Sequence, residues 1–182
     1  RTANILCAIS LAITFSFVRP LDAEPSKETF GSNVIGEVYK HASGDDLWIY
    51  RFQPDHHDPS TDCCPAVVFF FGGGWNGGSV HQFEKHAAYL AQRGIVAFLA
   101  DYRVKNRQGT SPDACVRDGK SAIRWIRANA ARLGVDPERI GAGGGSDERP
   151  RGARAVVARA AAMAALPASP RDKRLRPAAP RC

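Results

Sequence analysis

Residues 66–79 read AVVFFFGGGWNGGS, an unbroken apolar run that ends in a cluster of glycines. Ala66 to Phe71 contains no polar residue, and a short run without alternation marks a strand buried on both faces, as in a parallel sheet. Gly72, Gly73, Gly74, Gly77 and Gly78 then clear side chains from the backbone, so that N–H groups can converge on one point. Such a loop suits an oxyanion, a phosphate or an ordinary turn. Gly72, Gly74 and Gly77 have the GxGxxG spacing of a dinucleotide site. That site needs a helix opening directly from the glycines and an acidic residue about 20 positions further on. Here the first well-capped helix begins only near residue 80 and the next strand ends at Asp101, which argues against a nucleotide.

The pattern on either side of this stretch is strand, strand, strand, helix, strand, helix, strand. Val34 to His41 and Leu47 to Gln53 alternate in polarity around Ser43, Gly44, Asp45 and Asp46 and read as a hairpin. Pro54 to Pro65 is a loop of turn formers. After the glycines, Ser79 and Gln82 have the spacing of a capping box, and His81 to Arg93 runs as a helix to Gly94. Ile95 to Ala100 is a second buried strand. Ser111 and Pro112 open a helix whose Val116, Ile123, Ile126, Ala130 and Leu133 keep roughly helical spacing up to Gly134. Asp136 and Pro137 turn the chain into a last strand from Ile140, which reaches Gly143, Gly144, Gly145 and Ser146. Strands alternating with helices imply right-handed crossovers and an α/β fold of three layers, α/β/α, with a mostly parallel sheet and an antiparallel N-terminal hairpin.

The chain has 182 residues, 25 Lys plus Arg against 18 Asp plus Glu, and 44% apolar residues, which suits one domain. Its charge of +7 is concentrated at the end. Residues 149–182 carry nine Arg and Lys and only Asp172, so the remainder holds 16 bases against 17 acids and shows no nucleic-acid-binding balance. That segment has eleven Ala, eight Arg and five Pro and no aromatic residue, which does not build a core. Its Ala, Arg, Pro and Gly composition is what a GC-rich gene yields out of frame, so a frameshift near codon 147 is expected; the alternative is a genuine basic, disordered tail for anionic partners. At the other end, Arg1, the apolar stretch Ile5 to Val18 and the small residue Ala23 have the parts of a secretory signal peptide, residues 1–23, against the alternative of a short buried helix. The apolar stretch is 14 residues long and interrupted by Ser10, Thr14 and Ser16, too short to span a bilayer. A signal peptide implies a secreted or periplasmic protein, whose Cys63, Cys64, Cys115 and Cys182 meet an oxidising compartment. A bond from Cys63 or Cys64 to Cys115 and free thiols both remain open.

Ser146 stands at the end of the last strand after three glycines, where a nucleophile elbow places its serine. The last glycine of GxSxG is absent, since Glu148 occupies its position. Taken in order, the motifs FFFGGGWNGGS, ADYRVK, DGKSAIRWIRANAARLGVDPERI and GAGGGS resemble the α/β-hydrolase fold over about 80 residues, in particular the carboxylesterase and acetylxylan-esterase-like relatives of the hormone-sensitive lipase group. Phe71 replaces the usual His of their HGGG-type loop, and Ser-Asp-Glu-Arg-Pro replaces their Ser-Ala-Gly-Gly-His elbow. The resemblance ends where the composition changes and implies a partial hydrolase domain over residues 24–148.

By that resemblance, Ser146 attacks an ester carbonyl and forms an acyl-enzyme, while N–H groups of Gly73, Gly74 or Trp75 and of Asp147 stabilise the oxyanion. The implied substrates are small acyl esters, including acetyl groups on carbohydrate, and the implied chemistry uses no metal and no organic cofactor. The fold's order is Ser, then Asp or Glu, then His. All five histidines, His41, His56, His57, His81 and His86, precede Ser146, so no acid or base is identifiable and the chain as written is expected to be inactive. Asp101, Tyr102 and Arg103 read as structural. Asp55, His56, His57 and Asp58 are metal-ligating by type but consecutive on a Pro-flanked loop, and read as solvated. A secreted, nonenzymatic protein that binds anionic partners through its basic tail is the competing reading.

Overall fold

The computed structural model describes residues 28–31 and 33–145. The proposed signal peptide, Ser146, Asp147 and the basic segment lie outside the described residues. The chain forms strands β1 (Val34–Ala42), β2 (Asp45–Phe52) and β3 (Cys64–Phe70), helix α1 (Glu84–Ala91), strand β4 (Val96–Ala100), helices α2 (Lys105–Gln108), α3 (Pro112–Ala128) and α4 (Ala130–Leu133), and strand β5 (Val135–Gly144). They build one mixed sheet in the order β1-β2-β4-β3-β5. β1 pairs antiparallel with β2 and β2 with β4, whereas β3 runs parallel to both β4 and β5.

The chain steps from β3 sideways to β4 through α1, and then back past β3 to β5 through α3. Right-handed crossovers taken in opposite directions place their helices on opposite faces, which gives the three expected layers. β4 lies at the middle of the sheet, and all five of its residues are buried, Phe98 fully and Leu99 nearly so. Side chains of that size each contribute about 1.5–3 kcal/mol on burial. β3 departs from the expected burial on both faces. Val67 and Phe69 are only partly buried, and Phe69 stacks on Phe83 before α1 with ring centroids 5.1 Å apart.

The hairpin turn is tighter than its sequence suggested. Ser43 and Gly44 alone form it, both with positive φ (57° and 87°), and Ala42 already pairs with Asp45. Two successive positive φ values are those of a type I′ turn, whose twist matches the flanking strands. The expected first helix begins as a 3-10 turn, Val80–Phe83, before α1. The expected last strand starts earlier, at Val135, because Cys64 pairs with Val135 and Ala66 with Ile140, so that Asp136 to Arg139 bulge out of the ladder. The short helix α2 went unread in the sequence. Cys64 and Cys115 are free thiols, so neither adjacent cysteine bridges to Cys115.

One buried ion cluster ties these layers together. Asp118 on α3 is fully buried. It accepts from Nε and Nη2 of Arg103 at 2.8 and 2.9 Å and from Lys40 Nζ on β1 at 2.6 Å. Arg103 also donates to Ser43 Oγ in the hairpin turn at 3.0 Å. Burial alone would push the Asp118 pKa up, but the hydrogen bonds from Arg103 and Lys40 outweigh it and hold the carboxyl below its ordinary value. Removing one partner of a buried charge cluster leaves the others uncompensated, so Asp118→Ala is expected to cost about 3–5 kcal/mol in urea unfolding at neutral pH. Because the folded pKa is depressed, this stability is present above about pH 4 and lost as the pH falls through the folded value. The gap between wild type and Asp118→Asn should therefore narrow on acidification.

Candidate active site

The glycine loop leaves the end of β3 at Phe71 and is held there by the segment that leaves β4. The Tyr102 hydroxyl donates to the Phe71 carbonyl at 2.5 Å, and the two rings stack with centroids 4.1 Å apart. Lys105 N–H donates to Trp75 O and Asn106 N–H to Asn76 O, each at 2.9 Å. Burial pushes the Tyr102 phenol pKa well up, so the hydroxyl stays a donor at any working pH. Tyr102 is in turn fixed by its neighbours. Asp101 accepts from the Tyr102 N–H at 2.8 Å and forms a two-bond pair with Arg107, and Cys115 Sγ donates to the Arg103 carbonyl. The structural reading of Asp101, Tyr102 and Arg103 thus acquires a purpose: the three residues position the glycine loop.

Within the loop the backbone is left-handed at Gly74 and at Trp75, with φ of 60° and 70°. Trp75 holds that angle with a side chain, a conformation costing about 1–2 kcal/mol that persists only where its surroundings impose it. Asn76 N–H turns back to Gly73 O at 3.0 Å, closing the loop on itself. Gly72 N–H is taken by Gln82 Oε1 at 2.6 Å. No hydrogen bond within the described residues uses the N–H groups of Gly73, Gly74 and Trp75. Three consecutive donors on a fixed, positive-φ backbone are the kind of concavity that can receive an anion.

Gln82 also links this loop to β5. Ser79 caps the helical turn as expected, accepting from His81 N–H at 3.2 Å, but Gln82 does not close the capping box. Its oxygen goes to Gly72, and its Nε2 lies 3.4 Å from where a Cβ on Gly145 would stand. Phe83 Cζ is 3.0 Å from the same point, so the chain entering Ser146 passes against Gln82 and Phe83. Gly73, Gly74 and Trp75 are thereby placed on a loop that shares Gln82 with the residue before Ser146. Gln82 was the support whose role sequence reasoning missed, whereas Tyr102 had been read as structural without its partner, the Phe71 carbonyl. The signal at Gln82 pointed to a helix cap.

The histidines are accounted for separately. His81 is held between two carboxylates, Nδ1 at 2.9 Å from Glu84 Oε2 and Nε2 at 3.2 Å from Glu28 Oε2. The hydrogen bond with Glu84 is the main reason its pKa is raised, which suits a cation rather than a neutral base. His41 pairs with Asp46 on the surface, and His56 and His86 are exposed. His57 departs from the solvated reading of its loop: its side chain is fully buried and its Nε2 bonds the Leu133 carbonyl at 2.9 Å.

The close approach within the glycine loop sets a measurable constraint. A Cβ on Gly78 would stand 2.3 Å from both Gly72 O and the Phe71 ring, at a φ of 131°. Gly94 also has positive φ, 80°, but nothing lies within 4 Å of its would-be Cβ. Gly94→Ala is therefore expected to cost about 1 kcal/mol, the conformational part alone. Gly78→Ala should cost at least about 2 kcal/mol more in urea unfolding, because backbone and an aromatic ring must move.

Comparison with known proteins agrees with this arrangement. The BD-FAE family model matches residues 53–148, which includes the glycine loop, the Tyr102 segment and β5. A carboxylesterase of Mycobacterium tuberculosis, NlhH, is 35% identical over 86 residues, covering 47% of this chain and 26% of that protein. A solved structure of esterase 2 from Thermogutta terrifontis is 48% identical, with a TM-score of 0.61 over 62% of this chain and 42% of its own. The same enzyme in its native form superposes over 79% of this chain and 49% of its own, at 41% identity and a TM-score of 0.65. The chain thus spans about half the length of that esterase and about a quarter of the curated carboxylesterase. A matched family model over residues 53–148, on a fold shared with solved esterases, makes this chain a member of the BD-FAE family with an α/β-hydrolase fold.

Proposed function

We propose that this chain carries the nucleophile and oxyanion half of a serine carboxylester hydrolase acting on short-chain acyl esters. The observation that carries the proposal is the row of three uncommitted N–H groups at Gly73, Gly74 and Trp75, on a loop that shares Gln82 with the residue preceding Ser146. In this reading Ser146 Oγ adds to the ester carbonyl and the alcohol leaves with a proton, giving an acyl-enzyme that water then hydrolyses. The negative charge on the tetrahedral oxygen is met by the glycine-loop N–H groups and by that of Asp147. Thermogutta terrifontis esterase 2 supports a covalent nucleophile, since it is phosphorylated by paraoxon and phosphonylated by sarin. The same enzyme is known with propionate and butyrate bound, which supports short acyl groups here. A secreted or periplasmic location suits such a substrate.

No base is identifiable within these 182 residues. In this fold it follows the nucleophile in the chain, and residues 147–182 contain no histidine. His81, the histidine nearest the glycine loop in sequence, is committed to Glu28 and Glu84. The 182-residue chain is therefore expected to hydrolyse p-nitrophenyl butyrate no faster than buffer. Joining residues 1–146 to the part of Thermogutta terrifontis esterase 2 that follows its own elbow should restore turnover and phosphorylation by paraoxon. Ser146→Ala in that chimera should abolish labelling and lower turnover by about 10³-fold or more. A folded chimera without turnover, or one indifferent to Ser146→Ala, contradicts the proposal.

A further inference from the structure

We infer that His57, Asp62 and Cys64 form a divalent-metal site, best suited to zinc, at the end of the sheet opposite the glycine loop. Their ligand atoms, one from each side chain, lie within 4.8 Å of one another. His57 Nδ1 is 3.1 Å from Asp62 Oδ2 and 3.8 Å from Cys64 Sγ. Tetrahedral zinc with ordinary bond lengths separates a nitrogen from an oxygen by about 3.3 Å and from a sulfur by about 3.6 Å. The observed nitrogen–oxygen spacing is slightly shorter, and the nitrogen–sulfur spacing slightly longer, than those values. Imidazole, carboxylate and thiol together are a zinc donor set, with water completing the fourth position.

Each ligand is held by something else. Nε2 of His57 lies 2.9 Å from the Leu133 carbonyl, and since a carbonyl only accepts, Nε2 carries a proton and Nδ1 is left as the ring's ligand atom. Asp62 Oδ2 accepts from the Asp58 N–H at 2.9 Å, which orients the carboxylate. Cys64 is the first residue of β3, and its N–H donates to Gly134 O at 2.9 Å. The buried imidazole also depends on Gly134, where a Cβ would stand 2.7 Å from His57 Cε1. These are outer contacts of the kind that fix metal ligands.

The same geometry argues against a Cys-His-Asp relay. In a relay the nucleophile and the acid use opposite ring nitrogens. Here thiol and carboxylate converge on one nitrogen, Nδ1, and the other is committed to a backbone carbonyl. That is the arrangement of chelation. β3 is seven residues long, so Cys64 and the glycine loop stand about 20 Å apart, and the metal's role is to clasp the Pro54 to Pro65 loop to β3 and to the junction of α4 and β5. Binding exchanges the Cys64 thiol proton for a sulfur–metal bond and releases that proton to solvent.

The test uses the whole chain without reductant, so that Cys63 keeps its disulfide, stripped of metal and titrated with cobalt as a spectroscopic stand-in for zinc. One equivalent should bind with a thiolate-to-cobalt charge-transfer band in the near ultraviolet, and zinc should displace it. Cys64→Ser should remove the band, and Asp62→Asn, whose side chain is partly exposed, should weaken cobalt binding at least about tenfold. Zinc should raise the melting temperature of the wild type but not of Asp62→Asn. No band in the wild type, a band that survives Cys64→Ser, or unchanged affinity in Asp62→Asn overturns the site and leaves a simple imidazole–carboxylate contact.

Discussion

The carboxylate of Asp118 sits fully inside the molecule, and the rest of the structure is arranged to keep it charged. A lone buried carboxylate is prohibitively costly, so its oxygens must be met by cations that the fold brings from elsewhere. Arg103 comes from the end of β4 and Lys40 from β1, while Arg103 reaches on to Ser43 in the hairpin turn. One charge therefore fixes α3, the hairpin and the segment after β4 in a single register. That segment is the one that positions the site.

From Arg103 the constraint passes one residue back to Tyr102, whose ring and hydroxyl hold Phe71 at the mouth of the glycine loop. It also passes forward to Lys105 and Asn106, whose N–H groups hold Trp75 and Asn76. The loop is thus anchored at its start by Tyr102 and Gln82 and in its middle by Lys105 and Asn106. Preorganisation is what makes N–H donors effective against a developing oxyanion, because no reorganisation is needed as charge appears. The strained φ of Trp75 is consistent with donors held in place by their surroundings.

The sheet was largely legible because β3 and β4 are continuous apolar runs and α3 carries a clear stripe. The boundaries that shifted did so for tertiary reasons. Asp45 and Asp46 look like turn residues, yet the Ser43–Gly44 turn draws them into β2. Gln82 has the spacing of a helix cap, but Gly72, across the glycine loop, offers a competing donor that the helical pattern does not show. His57 likewise reads as one more polar loop residue until the fold places Leu133, Asp62 and Cys64 around it. Local signals report what neighbours in sequence can do, and both of these side chains answer to neighbours in space.

The glycine loop as a rigid donor set is the idea on which the functional reading stands, and nuclear magnetic relaxation of its backbone amides reports on it. Order parameters for Gly73, Gly74 and Trp75 of about 0.85, equal to those of β3, are expected if Tyr102, Asn106 and Gln82 hold the loop as described. Values below about 0.6 at those three amides, with β3 itself rigid, would show a flexible glycine linker instead and remove the basis for an oxyanion site.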